Sequence, residues 1–280
     1  MLVRIGSRGS RLALTQAEQA AGQLRGEGIE IAFVPITTAG DRDRSKPFGE
    51  IGERGVFVKE LEEALLAGRI DVAVHSAKDM TSTDAAGLAV GAYLERDDPR
   101  DALIGAAGIG SGMRIGTASA RRRAQLLALD PTLSVEPLRG NVETRLRKMR
   151  ERGLDAIVLA ACGLDRLGLA GEIGARLDPE TMLPEAAQGA LALQVRAGDE
   201  QLVAHTDHAE TRRRVELERR CVAAVGAGCL APVAAHHDGR LLTALVADED
   251  GAWLEKVEGD DPDELAAALL AARAARLQAA

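Results

Sequence analysis

Aromatic side chains are almost absent from this sequence, because three Phe, one Tyr and one Trp occur among 280 residues. The hydrophobic fraction is nevertheless 46%, so any core must be built from Leu, Val, Ile and Ala. A chain of this length exceeds one typical core, which predicts two or three domains.

Cysteine is also rare. Cys162, Cys221 and Cys229 cannot all pair within the chain, and none belongs to a CxxC motif. No run approaches the roughly 18–20 apolar residues that span a bilayer. The first five residues enter a strand-like segment without the apolar core of a signal peptide. We therefore expect a protein of the reducing cytoplasm, with no membrane partner.

An excess of positive charge is missing as well. The net charge is −8, which argues against a general nucleic-acid binder. The sequence has no P-loop and no GxGxxG after a strand. His205 and His208 lie three residues apart, and His236, His237 and Asp238 are interpreted as a polar turn, but no third metal ligand has suitable spacing. We expect neither a metal site nor a nucleic-acid partner.

Short strand-like runs alternate with helical periods, which predicts an α/β fold with mostly parallel sheets. The predicted strands cover residues 2–6, 30–36, 71–75, 88–92, 102–105, 114–116, 156–160, 193–196 and 241–247. The predicted helices cover residues 10–24, 57–67, 120–129 and 142–151, with further helices from Thr211 and after Asp261. Asp261, Pro262 and Glu264 form a capping-box pattern.

The order of these elements suggests crossovers near residues 95–100 and 185–192. They predict a first domain of residues 1–94 and 190–208 and a second domain of residues 95–189. A third domain, residues 209–280, carries Cys229. Ligands of open α/β sheets bind beyond the carboxyl ends of strands, so the loops there are the place to look for a site.

Three strand-to-helix junctions combine small residues with arginine, a pattern that suits anions at helix N-termini and in guanidinium forks. The residues concerned are Arg8 and Ser10, then Thr117, Ser119, Arg121 and Arg122, then Arg139 and Arg145. One such junction alone is more often a helix start with an exposed arginine. Three in a chain of acidic net charge favour a polyanion site.

The run His75-Ser76-Ala77-Lys78-Asp79 directly follows a predicted strand. Lys78 and nearby arginines would hold Asp79 ionised, so that this carboxylate could stabilise a developing cation. Asp79 could equally cap the following turn, and the spacing leaves both interpretations open. His75 is interpreted as a structural hydrogen-bonding residue.

Cys229 follows small residues and precedes Pro232, which suggests a tight and accessible turn. A covalent role and a structural role both remain open for this thiol. Cys162 and Cys221 are interpreted as core residues.

Taken together and in order, these elements resemble the porphobilinogen deaminases, also called hydroxymethylbilane synthases, from Arg4 to about Val233. The motifs that carry the resemblance are Arg4-Ile5-Gly6-Ser7-Arg8, His75-Ser76-Ala77-Lys78-Asp79, Asp97-Asp98-Pro99-Arg100-Asp101, Gly116-Thr117-Ala118-Ser119-Ala120-Arg121-Arg122, Leu138-Arg139-Gly140-Asn141, Leu183-Pro184-Glu185-Ala186-Ala187-Gln188-Gly189 and the Cys229 turn. The chain departs from the family pattern at Gln194, where Glu is common, and after Asp79, where a Val-Pro pair is usual.

The resemblance implies two domains like the lobes of a type II solute-binding protein and a small α+β third domain. It implies a dipyrromethane cofactor attached to Cys229 and the stepwise condensation of porphobilinogen by a monomer. The implied catalytic residues are Asp79 and Lys78. The implied cofactor-binding residues are Ser76, Lys78, Thr117, Ser119, Arg121, Arg122 and Gln188. The implied substrate-binding residues are Arg8, Ser10, Arg139, Arg145 and Arg166.

Two other functions are compatible with the residues. A non-catalytic dicarboxylate-binding protein of solute-binding fold would use the same arginines. An unrelated deaminase or lyase with a cysteine nucleophile would need His236 or His237 near Cys229.

Overall fold

The structure is a computed structural model that describes residues 1–26, 28–37, 58–81, 85–226 and 232–279. Cys229 and most of its turn lie outside the described residues, as does residue 57, where a helix is predicted to begin. The strands are β1 (Leu2–Arg8), β2 (Glu30–Ile36), β3 (Val72–Ser76), β4 (Leu88–Tyr93), β5 (Asp101–Ile104), β6 (Arg114–Gly116), β7 (Ser134–Glu136), β8 (Ala156–Ala160), β9 (Ile173–Leu177), β10 (Leu191–Arg196), β11 (Val233–His237), β12 (Leu242–Ala247) and β13 (Leu254–Gly259). The α-helices are α1 (Arg11–Leu24), α2 (Lys59–Leu66), α3 (Ala120–Leu129), α4 (Val142–Arg152), α5 (Ala161–Arg166), α6 (Ala209–Val225) and α7 (Pro262–Ala279).

One compact unit comprises Met1–Asp97 and Gly189–Arg213. Its five-stranded sheet has the order β2-β1-β3-β10-β4. β1 is parallel to β2 and β3, whereas β10 is antiparallel to both of its neighbours. β10 comes from late in the sequence and lies between two early strands, as the predicted return of residues 193–196 to the first domain requires.

The core of this unit forms where α1 packs against the sheet. The helix contributes small side chains such as Ala17 and Ala20, and the sheet contributes Val3, Ile5 and Leu193. Small helix residues let the backbone of α1 approach the sheet closely, which compensates for the lack of aromatic side chains.

The other compact unit comprises Asp98–Gln188 and Arg214–Ala280. It holds a five-stranded sheet of order β7-β6-β8-β5-β9 and a three-stranded sheet of order β11-β12-β13. β6 is parallel to β7 and β8, β5 is antiparallel to β8 and β9, and the three-stranded sheet is antiparallel throughout. The predicted α/β class with mostly parallel sheets is confirmed, whereas the predicted three-domain division stays a prediction.

Most predicted elements occur within a residue or two of their predicted bounds. β2, β6, α3 and β8 have the bounds that the sequence predicts. Asp261 also caps α7 as predicted, because its Oδ1 accepts hydrogen bonds from the backbone N–H groups of Asp263 and Glu264.

The predicted polar turn at His236, His237 and Asp238 is wrong for the two histidines. Both lie in β11 and are buried, with 7% and 3% exposure. The reason is a buried carboxylate on α6: Glu218 Oε1 accepts from the backbone N–H of His237 at 2.8 Å and lies 3.3 Å from His236 Nδ1. No described helix is long and apolar enough to cross a membrane.

Candidate functional site

A cavity in the first unit gathers five of the predicted site residues. Arg8, Ser10, Ser76, Lys78 and Asp79 all line it, and its volume is about 560 Å³ including its open mouth. Each of the five is partly exposed. The structure therefore brings these five predicted residues around one cavity, although the two segments that carry them are almost 70 residues apart.

The topology of the sheet explains this meeting. β1 ends at Arg8, and β3 ends at Ser76. Because these strands are parallel neighbours, their carboxyl ends lie at the same edge of the sheet. A single 3₁₀ turn, Ala77–Asp79, then carries Lys78 and Asp79 onward from β3.

The N-terminus of α1 completes the cavity. Ser10 is its N-cap, and its Oγ accepts a hydrogen bond from the backbone N–H of Ala13 at 3.3 Å. The helix dipole adds positive potential here, next to the cations of Arg8 and Lys78. One side of the cavity can therefore bind an anion, whereas the Asp79 carboxylate can stabilise a cation.

Three strand ends in the second unit likewise share one edge. β6 lies between β7 and β8 and is parallel to both, and the loops after these three strands lead into α3, α4 and α5. Ser119 caps α3 by accepting from the backbone N–H of Arg122 at 3.3 Å, and Thr117 Oγ1 accepts from the N–H of Ser119 at 3.2 Å. The predicted positions Thr117 and Ser119 therefore shape the turn that presents Arg121 and Arg122.

Arg121 and Arg122 are more deeply buried than the sequence suggested, with 3% and 5% exposure. Both pair with the fully buried Asp101: Arg121 Nη1 lies 2.7 Å from Oδ2, and Arg122 Nη2 lies 2.8 Å from Oδ1. The Gln188 side chain donates to the same Oδ1 at 2.9 Å. These four residues are called the arginine cluster below.

Asp101 was not predicted as a site residue. Burial by itself disfavours its carboxylate, but the charges and hydrogen bonds of Arg121 and Arg122 outweigh that effect, so the pKa of Asp101 lies well below its ordinary value. In the sequence, Asp101 is one acidic residue among several in a charged run. No local pattern distinguishes it, because its partners come from 20 or more residues away.

The arginine cluster retains capacity for an anion. Two guanidinium groups face one carboxylate, so the cluster carries a net positive charge. Within the described residues, Arg121 Nε and Nη2 are buried without a hydrogen-bond partner. Buried donors of this kind cost free energy unless a ligand satisfies them, and a carboxylate fits a guanidinium edge well.

Gln188 is held in the cluster by a strained backbone. The preceding residue, Ala187, has a φ of 63°, the left-handed region that non-glycine residues disfavour. Glu218 stabilises this conformation, because its Oε2 accepts from the N–H of Ala187 at 2.7 Å. Strain of this kind persists where surrounding contacts impose it, often near functional sites.

The other predicted arginines lie around the same sheet. Arg139 precedes α4, Arg145 lies in its first turns, and Arg166 ends α5; each is half-buried. Gly140 has a φ of 127°, and a Cβ there would lie 2.6 Å from Thr144 Cγ2, so glycine is required between Arg139 and the helix.

The cysteines differ in environment. Cys162 and Cys221 are buried and unpaired, as the sequence predicts for core residues. Burial raises the pKa of the Cys221 thiol to about 11. Among the described residues no group of His, Cys, Asp and Glu is arranged to hold a metal ion.

The mixed α/β frame, the cavity lined by Arg8 and Lys78 and the buried arginine cluster are features that suit a carboxylate-rich ligand. The family model described as "Porphobilinogen deaminase, dipyromethane cofactor binding domain" matches residues 3–204. The chain belongs to the porphobilinogen deaminase family, so the resemblance carried by the motifs and the expected dipyrromethane cofactor are both confirmed.

Curated relatives agree over most of the chain. Porphobilinogen deaminase of Syntrophotalea carbinolica is 46% identical over 91% of this chain and 85% of its own length. The enzyme of the same name from Roseiflexus sp. is 43% identical over 95% and 93%. Among solved structures, a TRAP periplasmic solute binding protein from Desulfovibrio salexigens has a TM-score of 0.46 and 7% identity over 76% of this chain and 74% of its own.

Proposed function

We propose that this protein is a transferase that condenses four porphobilinogen molecules head to tail, with loss of ammonia, to give hydroxymethylbilane. The family membership of the chain carries the reaction, and the cavity that joins Asp79 to Arg8 and Lys78 carries the assignment of the site. We propose Cys229 as the attachment point of the dipyrromethane cofactor.

The residues of the chain fit such a cofactor. Pyrrole units with acetate and propionate groups carry several carboxylates, and the unsatisfied donors of Arg121 suit one of them. Ser76, Lys78, Thr117, Ser119, Arg122 and Gln188 are the other proposed cofactor contacts. When bound, dipyrromethane would supply the pyrrole carbon to which the first substrate unit is joined, and each later unit would be joined to the unit before it.

Asp79 has the proposed catalytic role. As the C–N bond of the aminomethyl group breaks, its electron pair leaves with ammonia, and the pyrrole of the substrate becomes electron-poor. The Asp79 carboxylate accepts a hydrogen bond from the pyrrole N–H and stabilises the positive charge that develops on the ring. Lys78 is the second proposed catalytic residue, and it lies next to Asp79 on the same 3₁₀ turn.

The remaining arginines have a proposed role in substrate binding. Each added unit brings carboxylates, so a growing product needs more cations than a single small ligand. Arg8 and Ser10 lie in the cavity with Asp79. The other proposed contacts are Arg139, Arg145 and Arg166, which lie near the strand ends of the second unit's sheet.

We also propose that the protein acts as a monomer in the cytoplasm. The two described cysteines are unpaired, which is compatible with a reducing compartment. Size-exclusion chromatography with light scattering tests the monomer.

The intact mass of the purified protein tests the cofactor proposal. We expect wild type to exceed its polypeptide mass by two pyrrole units, and Cys229→Ser to have the bare polypeptide mass. Cys221→Ser is the matched control and should keep the added mass. A bare wild-type mass together with tight binding of dicarboxylates would favour the non-catalytic binding protein instead.

Asp79→Ala tests the catalytic assignment. We expect this variant to keep the added mass while its kcat for ammonia release falls by about 10²–10³, as when a stabilising hydrogen-bond partner is removed. Asp178→Ala is the control, because the Asp178 side chain is 78% exposed. Full turnover by Asp79→Ala would remove Asp79 from the mechanism.

A further inference from the structure

His75 lies at one end of a series of two hydrogen bonds that the proposed function does not use. His75 Nε2 lies 3.0 Å from Gln194 Oε1, and Gln194 Nε2 donates to Glu62 Oε1 at 3.1 Å. Gln194 is fully buried, and His75 is 4% exposed. We call this series, Glu62 to Gln194 to His75, the relay.

The relay depends on three separate elements of one unit. β3 carries His75, β10 carries Gln194, and α2 carries Glu62. Gln194 is paired with Ala73 in the register of these antiparallel strands, so Gln194 and His75 lie on the same face of the sheet. α2 packs its residues Leu61 and Leu65 around Ala73 on that face.

The chemistry of the three groups determines the direction of the hydrogen bonds. An ionised carboxylate can only accept, so the amide nitrogen of Gln194 must face Glu62. The amide oxygen therefore faces His75, and an oxygen acceptor requires a proton on Nε2 of the ring. This assignment follows from the acceptor at the end of the relay rather than from visible hydrogens.

The position of His75 gives the relay a consequence for the reaction. Ser76 directly follows His75, and the turn with Lys78 and Asp79 comes next; all four residues line the cavity. The backbone N–H of Ala77 also donates to the carbonyl of Ala190, just before β10. Ala77 is thus held through its backbone to Ala190, and His75, two residues earlier, is held through its ring to Gln194 in β10.

We propose that Glu62 and Gln194 are positioning residues that hold His75 as the neutral Nε2–H tautomer and so place the Ser76–Asp79 segment for catalysis. This proposal rests on the proposed function. Glu62 fixes the orientation of the Gln194 amide, and the amide then presents its oxygen to the His75 ring. Because this amide is neutral, no second carboxylate lies against the ring.

Reversing the relay tests it. Glu62→Lys replaces an obligate acceptor by an obligate donor, so the Gln194 amide must turn over or lose its orientation. We expect His75 to change from the Nε2–H tautomer to the Nδ1–H tautomer, or to a mixture of the two. Glu63→Lys, at the exposed neighbouring position of α2, is the matched control and should leave the tautomer unchanged.

The measurement is the long-range ¹⁵N–¹H spectrum of holoenzyme labelled at histidine nitrogen. The chain has five histidines, and the His75 signals are identified as those missing in His75→Gln. We expect kcat of Glu62→Lys to fall by about ten- to hundred-fold, as for a small displacement of catalytic groups, with a smaller change in KM and no loss of the cofactor mass. Gln194→Met, which removes both hydrogen bonds and keeps the side-chain length, should lower kcat in the same way.

Two results would overturn the proposal. One is a wild-type His75 that is protonated on Nδ1 or on both nitrogens. The other is a Glu62→Lys protein whose His75 spectrum and kcat match those of Glu63→Lys. The two proposals can fail separately, because the spectrum does not require turnover. A wild-type protein that releases no ammonia from porphobilinogen would contradict the proposed function. The His75 tautomer would still show whether the relay exists.

Discussion

Asp101→Asn removes the only carboxylate identified in the arginine cluster and should destabilise the second unit strongly. The fully buried Asp101 lies 2.7 Å from Arg121 and 2.8 Å from Arg122. Without its charge, two guanidinium groups remain buried and uncompensated. Removing one partner of a buried ion pair costs about 3–5 kcal/mol, and we expect the free energy of unfolding to fall by that amount.

Urea unfolding followed by tryptophan fluorescence measures this change in the relevant part of the molecule. Trp253 is the single tryptophan of the chain, and it packs against the core of the three-stranded sheet in the same unit. Asp178→Asn, at a largely exposed site, is the control and should change the free energy by no more than about 0.5 kcal/mol. Equal losses in the two variants would refute the reasoning.

The charge argument also predicts a compensating substitution. Adding Arg121→Met to Asp101→Asn removes one of the two uncompensated cations, so the double variant should be more stable than Asp101→Asn alone. Because the pKa of Asp101 is lowered on folding, its contribution is present at neutral pH and is lost as the pH falls below about 4. The difference between wild type and Asp101→Asn should therefore narrow in acid, and additive losses in the double variant would contradict the model of charge compensation.

Three further predictions concern separate features. Arg121→Leu should lower the fraction of purified protein that carries the cofactor mass. Arg25→Leu, at an exposed site, should not lower it, and equal fractions in the two variants would count against a role for Arg121. Hydrogen bonds from Arg4 lower the pKa of Asp71 to about 2, so the melting temperature of wild type should exceed that of Asp71→Asn at neutral pH. This difference in melting temperature should shrink as the pH falls from about 4 toward 2, and a constant difference would contradict the assignment. Iodoacetamide at pH 8 should leave native Cys221 unmodified, because burial holds its pKa near 11, and modification before unfolding would show that the thiol is accessible.

Much of the local structure follows from short stretches of sequence. Short β-rich runs predicted β2, β6 and β8 with their observed bounds. The capping box at Asp261 marked where α7 begins. These features depend on neighbours within one helical turn or one strand, so a single sequence contains the information.

Residue types alone indicated which segments to examine for a site, whereas the roles of the individual residues stay predictions. The glycine- and arginine-rich junctions and the run from His75 to Asp79 were recognised from residue types alone, and five of these residues do line one cavity. The His236–His237 pair shows the limit of that approach. Two adjacent histidines before Asp and Gly suggest a polar turn, but the Glu218 carboxylate, 18 and 19 residues away, makes them a buried part of β11.

The sequence by itself determined nine of the thirteen described strands, most of the helix starts and the chemical types gathered at the strand ends, because these depend on contacts between near neighbours. Only the tertiary structure decided which charges are buried together. Asp101 meets Gln188 across 87 residues, and His75 meets Gln194 across 119. Burial of a charge or an amide is favourable only when partners arrive to satisfy it, and those partners are specified by the sheet topology rather than by any local pattern.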